Sequence, residues 1–121
     1  MYQARADYSI KLITALLEGY SDLAFGQLPV DKLIQYGIKI DRSKPHAAHF
    51  ERPAILKADI DRAIRYSLRP TERCVLIGWL MAGFRREDCA FWINSGQVVL
   101  EHIASRAIRK MSRYLNTGKA E

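Results

Sequence analysis

Residues 85–111 read RREDCAFWINSGQVVLEHIASRAIRKM, and this stretch decides the fold of the carboxy-terminal half. A short helical pattern over Arg85–Ile93 is followed by Asn94–Gly96, in which Asn and Gly tolerate the left-handed backbone of a tight turn. An amphipathic pattern with apolar residues at helical spacing then covers Gln97–Leu115. A short helix, a tight turn and a longer helix are typical of a helix-turn-helix, which is therefore predicted here.

Helical patterns also occupy most of the chain before this motif. One helix is predicted from Pro70 to a close at Gly83, and another from about Pro53 to Leu68. Two more are predicted over Pro29–Tyr36 and Ala4–Tyr20, and Ile38–Phe50 is predicted as a loop.

These patterns predict an all-α fold of five or six helices, a helical bundle with the helix-turn-helix at its carboxy-terminal end. We expect three parts: an amino-terminal helical segment of residues 1–52, a helix-turn-helix domain of residues 53–115, and a flexible tail of residues 116–121. Because 49% of the 121 residues are hydrophobic, the chain can bury a core without metal or disulfide support.

The charge of the chain favours a phosphate-rich partner. Lys and Arg number 19 against 13 Asp and Glu, which gives a net charge of +6. An excess of this kind is typical of nucleic-acid-binding proteins, although a solvated domain with no such partner can also carry it.

The membrane is not an expected partner. The amino terminus has no apolar signal region, and the longest apolar run, Cys74–Phe84, is shorter than the roughly 20 residues that a bilayer span needs. We therefore expect a soluble intracellular protein.

The cysteines and tryptophans are predicted to belong to the core. Cys74 and Cys89 lie within apolar helical patterns, so both are expected to be buried free thiols in a reducing compartment. Trp79 and Trp92 are predicted to be core aromatics rather than platforms on which nucleic-acid bases stack.

Metal and catalytic sites receive little support from the sequence. His46 and His49 are spaced like metal ligands, but no second pair has matching spacing, so no metal is expected. Asp59 and Asp61 could be mistaken for catalytic carboxylates, but neighbouring arginines and an early position in the helix favour a role as helix-dipole partners. No nucleophile motif or glycine-rich phosphate loop is present, so neither an enzymatic activity nor a cofactor is expected.

A second pattern of residues at fixed spacing runs without a gap from Leu68 to Met111. It consists of Leu68, Pro70, Arg73-x-Val75-Leu76, Gly83, Glu87-Asp88-Cys89-Ala90, Leu100, Arg106-Ala107 and Arg109-Lys110-Met111. At these spacings the chain resembles the promoter-reading carboxy-terminal segment of bacterial sigma factors and of phage regulators built on it. Asn94 departs from the pattern, because that family usually has a glycine in the turn.

Phage late-gene antitermination proteins of the small Q type are similar in size and in the positions of Gly83, Ala90 and Arg106-Ala107. The resemblance implies a sequence-specific, DNA-binding transcription regulator, encoded by a phage or prophage and located in the cytoplasm of a bacterial host. It also implies action at or near RNA polymerase, as an activator or an antiterminator.

Helix-turn-helix docking predicts which residues meet duplex DNA, because the second helix of the motif lies in the major groove. The outward positions of that helix are Gln97, Val98, Glu101, His102, Ser105 and Arg106. Gln97 is suited to adenine, Val98 to a thymine methyl group, Glu101 to cytosine N4, and Arg106 to guanine or phosphate. The alternative for these residues is a solvated helix face.

Basic residues on either side of this surface are predicted to contact the DNA backbone. Arg85 and Arg86 open the first helix of the motif, where they can hold a phosphate group, although they can equally serve solubility. Arg109, Lys110 and Arg113 extend the second helix as a basic flank.

A protein-binding module on the same scaffold is the alternative function. The second helix begins with apolar residues and carries Glu101, so it is less basic than a strong DNA reader. Such a module would inhibit or remodel a protein machine of the host. If Phe91 is exposed, it is the candidate contact for a polymerase subunit or for a second copy in a homodimer.

Overall fold

A computed structural model describes residues 7–39 and 52–118 of the chain. The described residues form seven helices and no strand, so the predicted all-α class is confirmed. The helices are α1 (Ile10–Glu18), α2 (Tyr20–Ala24), α3 (Val30–Gln35), α4 (Pro53–Ser67), α5 (Pro70–Val75), α6 (Arg86–Trp92) and α7 (Gln97–Thr117). Helix α5 is followed directly by a π-helical segment over Leu76–Met81.

The amino-terminal helix is shorter than its hydrophobic pattern predicts. Residues 7–9 are not helical, and α1 begins after Ser9, whose side chain accepts a hydrogen bond from the Leu12 N–H at 3.1 Å. The pattern is then divided at Gly19, which separates α1 from α2. A Cβ atom on Gly19 would lie 2.1 Å from the Cβ atom of Pro29, so only glycine permits this close approach to the start of α3.

One hydrophobic core joins the amino-terminal helices to the carboxy-terminal half. Helix α1 packs against α4, α7 and the π-helical segment, and α4 packs against α2 and α7. The fully buried large side chains of this core include Ile13, Leu16, Leu17, Leu56, Ile60, Leu76, Leu100 and Met111. The amino-terminal segment therefore forms part of the support on which α7 rests.

Tyr8 connects α4 and α7 through polar contacts. Its hydroxyl donates to Asp59 Oδ2 at 2.5 Å, and its backbone oxygen accepts from the Ser112 hydroxyl at 2.6 Å. Its backbone N–H donates to Asn116 Oδ1 at 2.8 Å. Asn116 and Thr117, which the sequence assigns to the flexible tail, thus belong to α7.

The prediction for Asp59 and Asp61 as helix-dipole partners is wrong. Both lie in the middle of α4, and Asp59 is buried, where it accepts hydrogen bonds from Tyr8 and from Arg62 Nη2, the latter at 2.9 Å. Asp61 accepts from the hydroxyl of Tyr20 and from Lys57 Nζ. Their role is to pair with tyrosines of the amino-terminal segment.

Two of the predicted core residues lie at the surface. Cys74 is exposed, whereas Cys89 is buried as predicted. Trp92 is 53% exposed because it ends α6, of which only Cys89 and Ala90 are buried. Trp79 is half-buried and packs against the core.

No helix in residues 7–39 and 52–118 is long and apolar enough to cross a membrane.

Candidate nucleic-acid interface

The short helix, the turn and the long helix occur at the positions that the sequence predicts. Helix α6 ends at Trp92 and α7 begins at Gln97. Asn94 has a φ of +58° in the connection, and the Ser95 N–H donates to the Ala90 oxygen at 2.9 Å. Asn94 thus supplies the left-handed backbone for which glycine is the usual choice.

Three of the predicted DNA-contacting residues bond to one another. Arg86 Nε donates to Gln97 Oε1 at 3.0 Å, and Arg86 Nη1 forms an ion pair with Glu101. This contact joins the first turn of α6 to the first two turns of α7. It also places a positive charge beside the one acidic residue that α7 contains.

Arg85 forms a separate ion pair, with Asp88. It is the residue before α6, and its guanidinium Nε lies 3.2 Å from Asp88 Oδ2. Both side chains are exposed, so the pair contributes little to stability and can exchange for another anion.

The remaining predicted contacts share the outer surface of α7. Residues three and four apart lie on one side of a helix, and the exposed set is Val98, His102, Ser105, Arg106 and Arg109. These five side chains form what we call the outer face of α7. The structure leaves all five accessible to a large partner.

Lys110 does not belong to the basic flank that the sequence predicts. It is buried, and its Nζ lies 2.8 Å from Glu72 Oε1 at the start of α5. Burial alone would raise the pKa of Glu72, but the hydrogen bond from the Arg69 backbone N–H and the ammonium of Lys110 lower this pKa below its ordinary value. Glu72 and Lys110 are therefore a charged pair that fixes α7 to α5.

The sequence pattern does not reveal a groove beside this pair. The groove has a volume of about 480 Å³ and lies between the start of α5 and α7. Its walls include Arg69, Thr71, Val99, His102, Arg106 and Arg109. The position of Arg69 just before Pro70 marks a helix start, but nothing local in the sequence shows that α7 lies opposite.

Exposed aromatic side chains form a second surface, around α6. Phe91 is 81% exposed, and Phe84 is 52% exposed. The ring of Phe84 meets that of Trp92 edge to face, with centroids 5.2 Å apart. We call these three residues the aromatic surface. The sequence makes Phe91 a candidate protein contact only if it is exposed, and it is exposed.

The sequence predicts no metal at His46 and His49, and both residues lie outside the described part of the chain. Within the described ranges, no group of three or more His, Cys, Asp or Glu side chains is placed to hold a metal ion.

Comparison with known proteins assigns no family to the chain. No family model, no curated protein and no solved structure matches it. The resemblance to the sigma-factor segment therefore rests on the residues of 68–111 alone and stays a prediction.

Proposed function

We propose that the protein binds duplex DNA with α7 in the major groove and regulates transcription at or near RNA polymerase. The observation that carries this proposal is the outer face of α7, which combines His102, Arg106 and Arg109 with no acidic side chain. A cationic helix face of this kind is suited to a groove bordered by phosphates.

The pairing of Glu101 supports the proposal. The sequence alone counts Glu101 against DNA binding, because an unpaired carboxylate on the reading helix repels phosphate groups. Arg86 balances that charge from α6. Base readout then passes to Val98 and His102, because Gln97 is held by Arg86 unless DNA displaces it.

A titration with labelled duplex tests DNA binding directly. The full-length chain is added to a fluorescein-labelled duplex at increasing salt, and binding is followed by anisotropy. We expect affinity to fall steeply with salt, and Arg106→Gln to weaken binding. The matched control is Arg65→Gln, which removes an exposed arginine of α4. Binding that shows neither a salt dependence nor a preference for duplex would contradict the proposal.

Selection of bound duplexes from a random pool then identifies the target. A recovered site with an inverted repeat would indicate that two copies bind together, since the symmetry of a dimer is mirrored in its operator.

A protein-binding module is the second candidate, and the aromatic surface favours it. Its three aromatic side chains are exposed at or beside one short helix, and aromatic residues are enriched in protein interfaces. The test is binding to purified bacterial RNA polymerase. Phe91→Asp should abolish this binding and leave duplex affinity unchanged if the surface contacts polymerase. Phe25→Asp is the matched control, because Phe25 is 84% exposed at the end of α2.

A further inference from the structure

The groove between α5 and α7 brings together arginines from two separate parts of the chain. Arg69 comes from the residue before α5, and Arg106 and Arg109 come from neighbouring turns of α7. The Thr71 hydroxyl and the His102 imidazole line the same groove. We propose that this groove binds a phosphoryl group, which in the proposed function is a backbone phosphate of the bound duplex.

The positive charge of the groove is available to a ligand. Within the described part of the chain, the side chains of Arg69 and Arg109 form no ion pair. The one acidic residue of the groove, Glu72, is satisfied by Lys110 Nζ at 2.8 Å and by the Arg69 backbone N–H at 2.8 Å. Because Lys110 balances Glu72, the three arginines determine the charge that an incoming anion meets.

The donor groups suit phosphate chemistry. Guanidinium groups bind phosphate oxygens with two parallel N–H donors, which adds direction to the charge. Arg106 and Arg109 are three residues apart and so lie on one flank of α7, and Arg69, just before α5, lines the same groove. The hydroxyl of Thr71 adds a neutral donor. A volume of about 480 Å³ admits a phosphate group with the sugar attached to it.

The position of the groove indicates which DNA strand would use it. A helix in the major groove has one phosphate backbone on each flank. Arg86 of α6 reaches Gln97 and Glu101, so α6 serves one flank of α7. The groove lies toward α5 and therefore serves the other. As a contact with DNA this inference rests on the proposed function, whereas as a phosphate site it does not.

The first arm of the test measures the salt dependence of duplex binding. Wild type, Arg69→Gln and the control Arg65→Gln are compared on labelled duplexes of two unrelated sequences, with thermal melting to verify folding. Loss of one phosphate contact should make the slope of log K against log salt shallower by about 0.9 in Arg69→Gln. Affinity should fall equally on both duplexes, and Arg65→Gln should match wild type. If Arg69→Gln does not fold, Arg109→Gln replaces it.

The second arm uses inorganic tripolyphosphate as the probe, followed by amide NMR shifts. In wild type we expect shifts at Thr71, Val99 and His102, and we expect Arg69→Gln to lose them. A salt slope that is shallower in Arg69→Gln than in wild type assigns the phosphoryl group to the duplex. Tripolyphosphate shifts without duplex binding would contradict the proposed function but leave the phosphate site standing, with a free phosphate ester as its ligand. If Arg69→Gln matches wild type in both arms, the inference is overturned.

Discussion

Among the described residues, the ion pairs that join α7 to α5 and to α6 differ in how far they are buried. The Lys110–Glu72 pair faces α5, and its side chains are 10% and 7% exposed. The Arg86–Glu101 pair faces α6, and its side chains are 44% and 46% exposed. A buried pair is costly to break because the remaining charge has no water, whereas an exposed pair can be replaced by solvent or by a ligand. The α5 side therefore holds α7 in place, and the α6 side stays adaptable.

The largest expected effect comes from breaking the buried pair. Lys110→Met leaves the carboxylate of Glu72 buried without its partner, and we expect a loss of about 3 to 5 kcal/mol in the free energy of unfolding. Urea unfolding measures it. The control is the double variant Glu72→Met with Lys110→Met, which removes both charges and should recover most of the loss. A loss below about 1 kcal/mol in the single variant would mean that the pair is effectively solvated.

The same pair predicts a dependence of stability on acid. The pKa of Glu72 is lower in the folded chain than in the unfolded chain, so its ionised form stabilises the fold. This contribution is complete above the unfolded pKa of about 4.3 and is lost as the pH falls through the lower folded pKa. The difference in unfolding free energy between wild type and Glu72→Gln should therefore be constant near neutral pH and shrink in acid. A difference that does not change with pH would show that the pKa is not lowered.

The exposed pair should affect binding more than stability. Arg86→Gln should change the free energy of unfolding by less than about 1 kcal/mol, because both side chains are accessible to water. It should weaken duplex binding, since Glu101 then carries its charge unbalanced. Glu101→Gln should have the opposite effect on binding. Equal effects of the two variants would contradict the proposed role of Arg86.

The smallest effect concerns thiol reactivity. Cys74 is exposed, whereas Cys89 is on the buried side of α6, and burial raises the pKa of its thiol. A thiol reagent at neutral pH should therefore modify Cys74 first and Cys89 only after α6 opens. Arg86→Gln should speed the second reaction, because it removes a contact between α6 and α7. Mass spectrometry of Cys74→Ser and Cys89→Ser variants assigns the two rates. Equal rates for both thiols would contradict the burial of Cys89.

The positions of helices α4 to α7 are the part of the fold that local sequence predicts well. Pro53 and Pro70 start helices, and Asn94 supplies the turn before α7. Such signals act within a few residues, so a single sequence contains them. The division at Gly19 is less visible, because its cause is Pro29, which comes close only in the folded chain.

The electrostatics of the candidate interface depend on contacts between distant residues. The sequence alone predicts Lys110 in a basic flank, but in the fold it bonds to Glu72, 38 positions earlier. The sequence alone favours Asp59 as a helix-dipole partner, but in the fold it accepts a hydrogen bond from the hydroxyl of Tyr8, 51 positions earlier. The exposure of the five residues on the outer face of α7 agrees with the sequence pattern, because helical periodicity alone places them outward. Their use on DNA stays a prediction.

The most direct test of whether the outer face of α7 binds DNA is to measure the affinity of the full-length chain for duplex DNA as a function of salt. The groove of Arg69, Arg106 and Arg109 and the guanidinium of Arg85 are the two sites that we assign to phosphates. Each neutralised phosphate contributes about −0.9 to the slope of log K against log salt, so the expected slope is about −2. A slope near zero would contradict the assignment of this surface to DNA. So would binding to an uncharged competitor that is as tight as binding to the duplex.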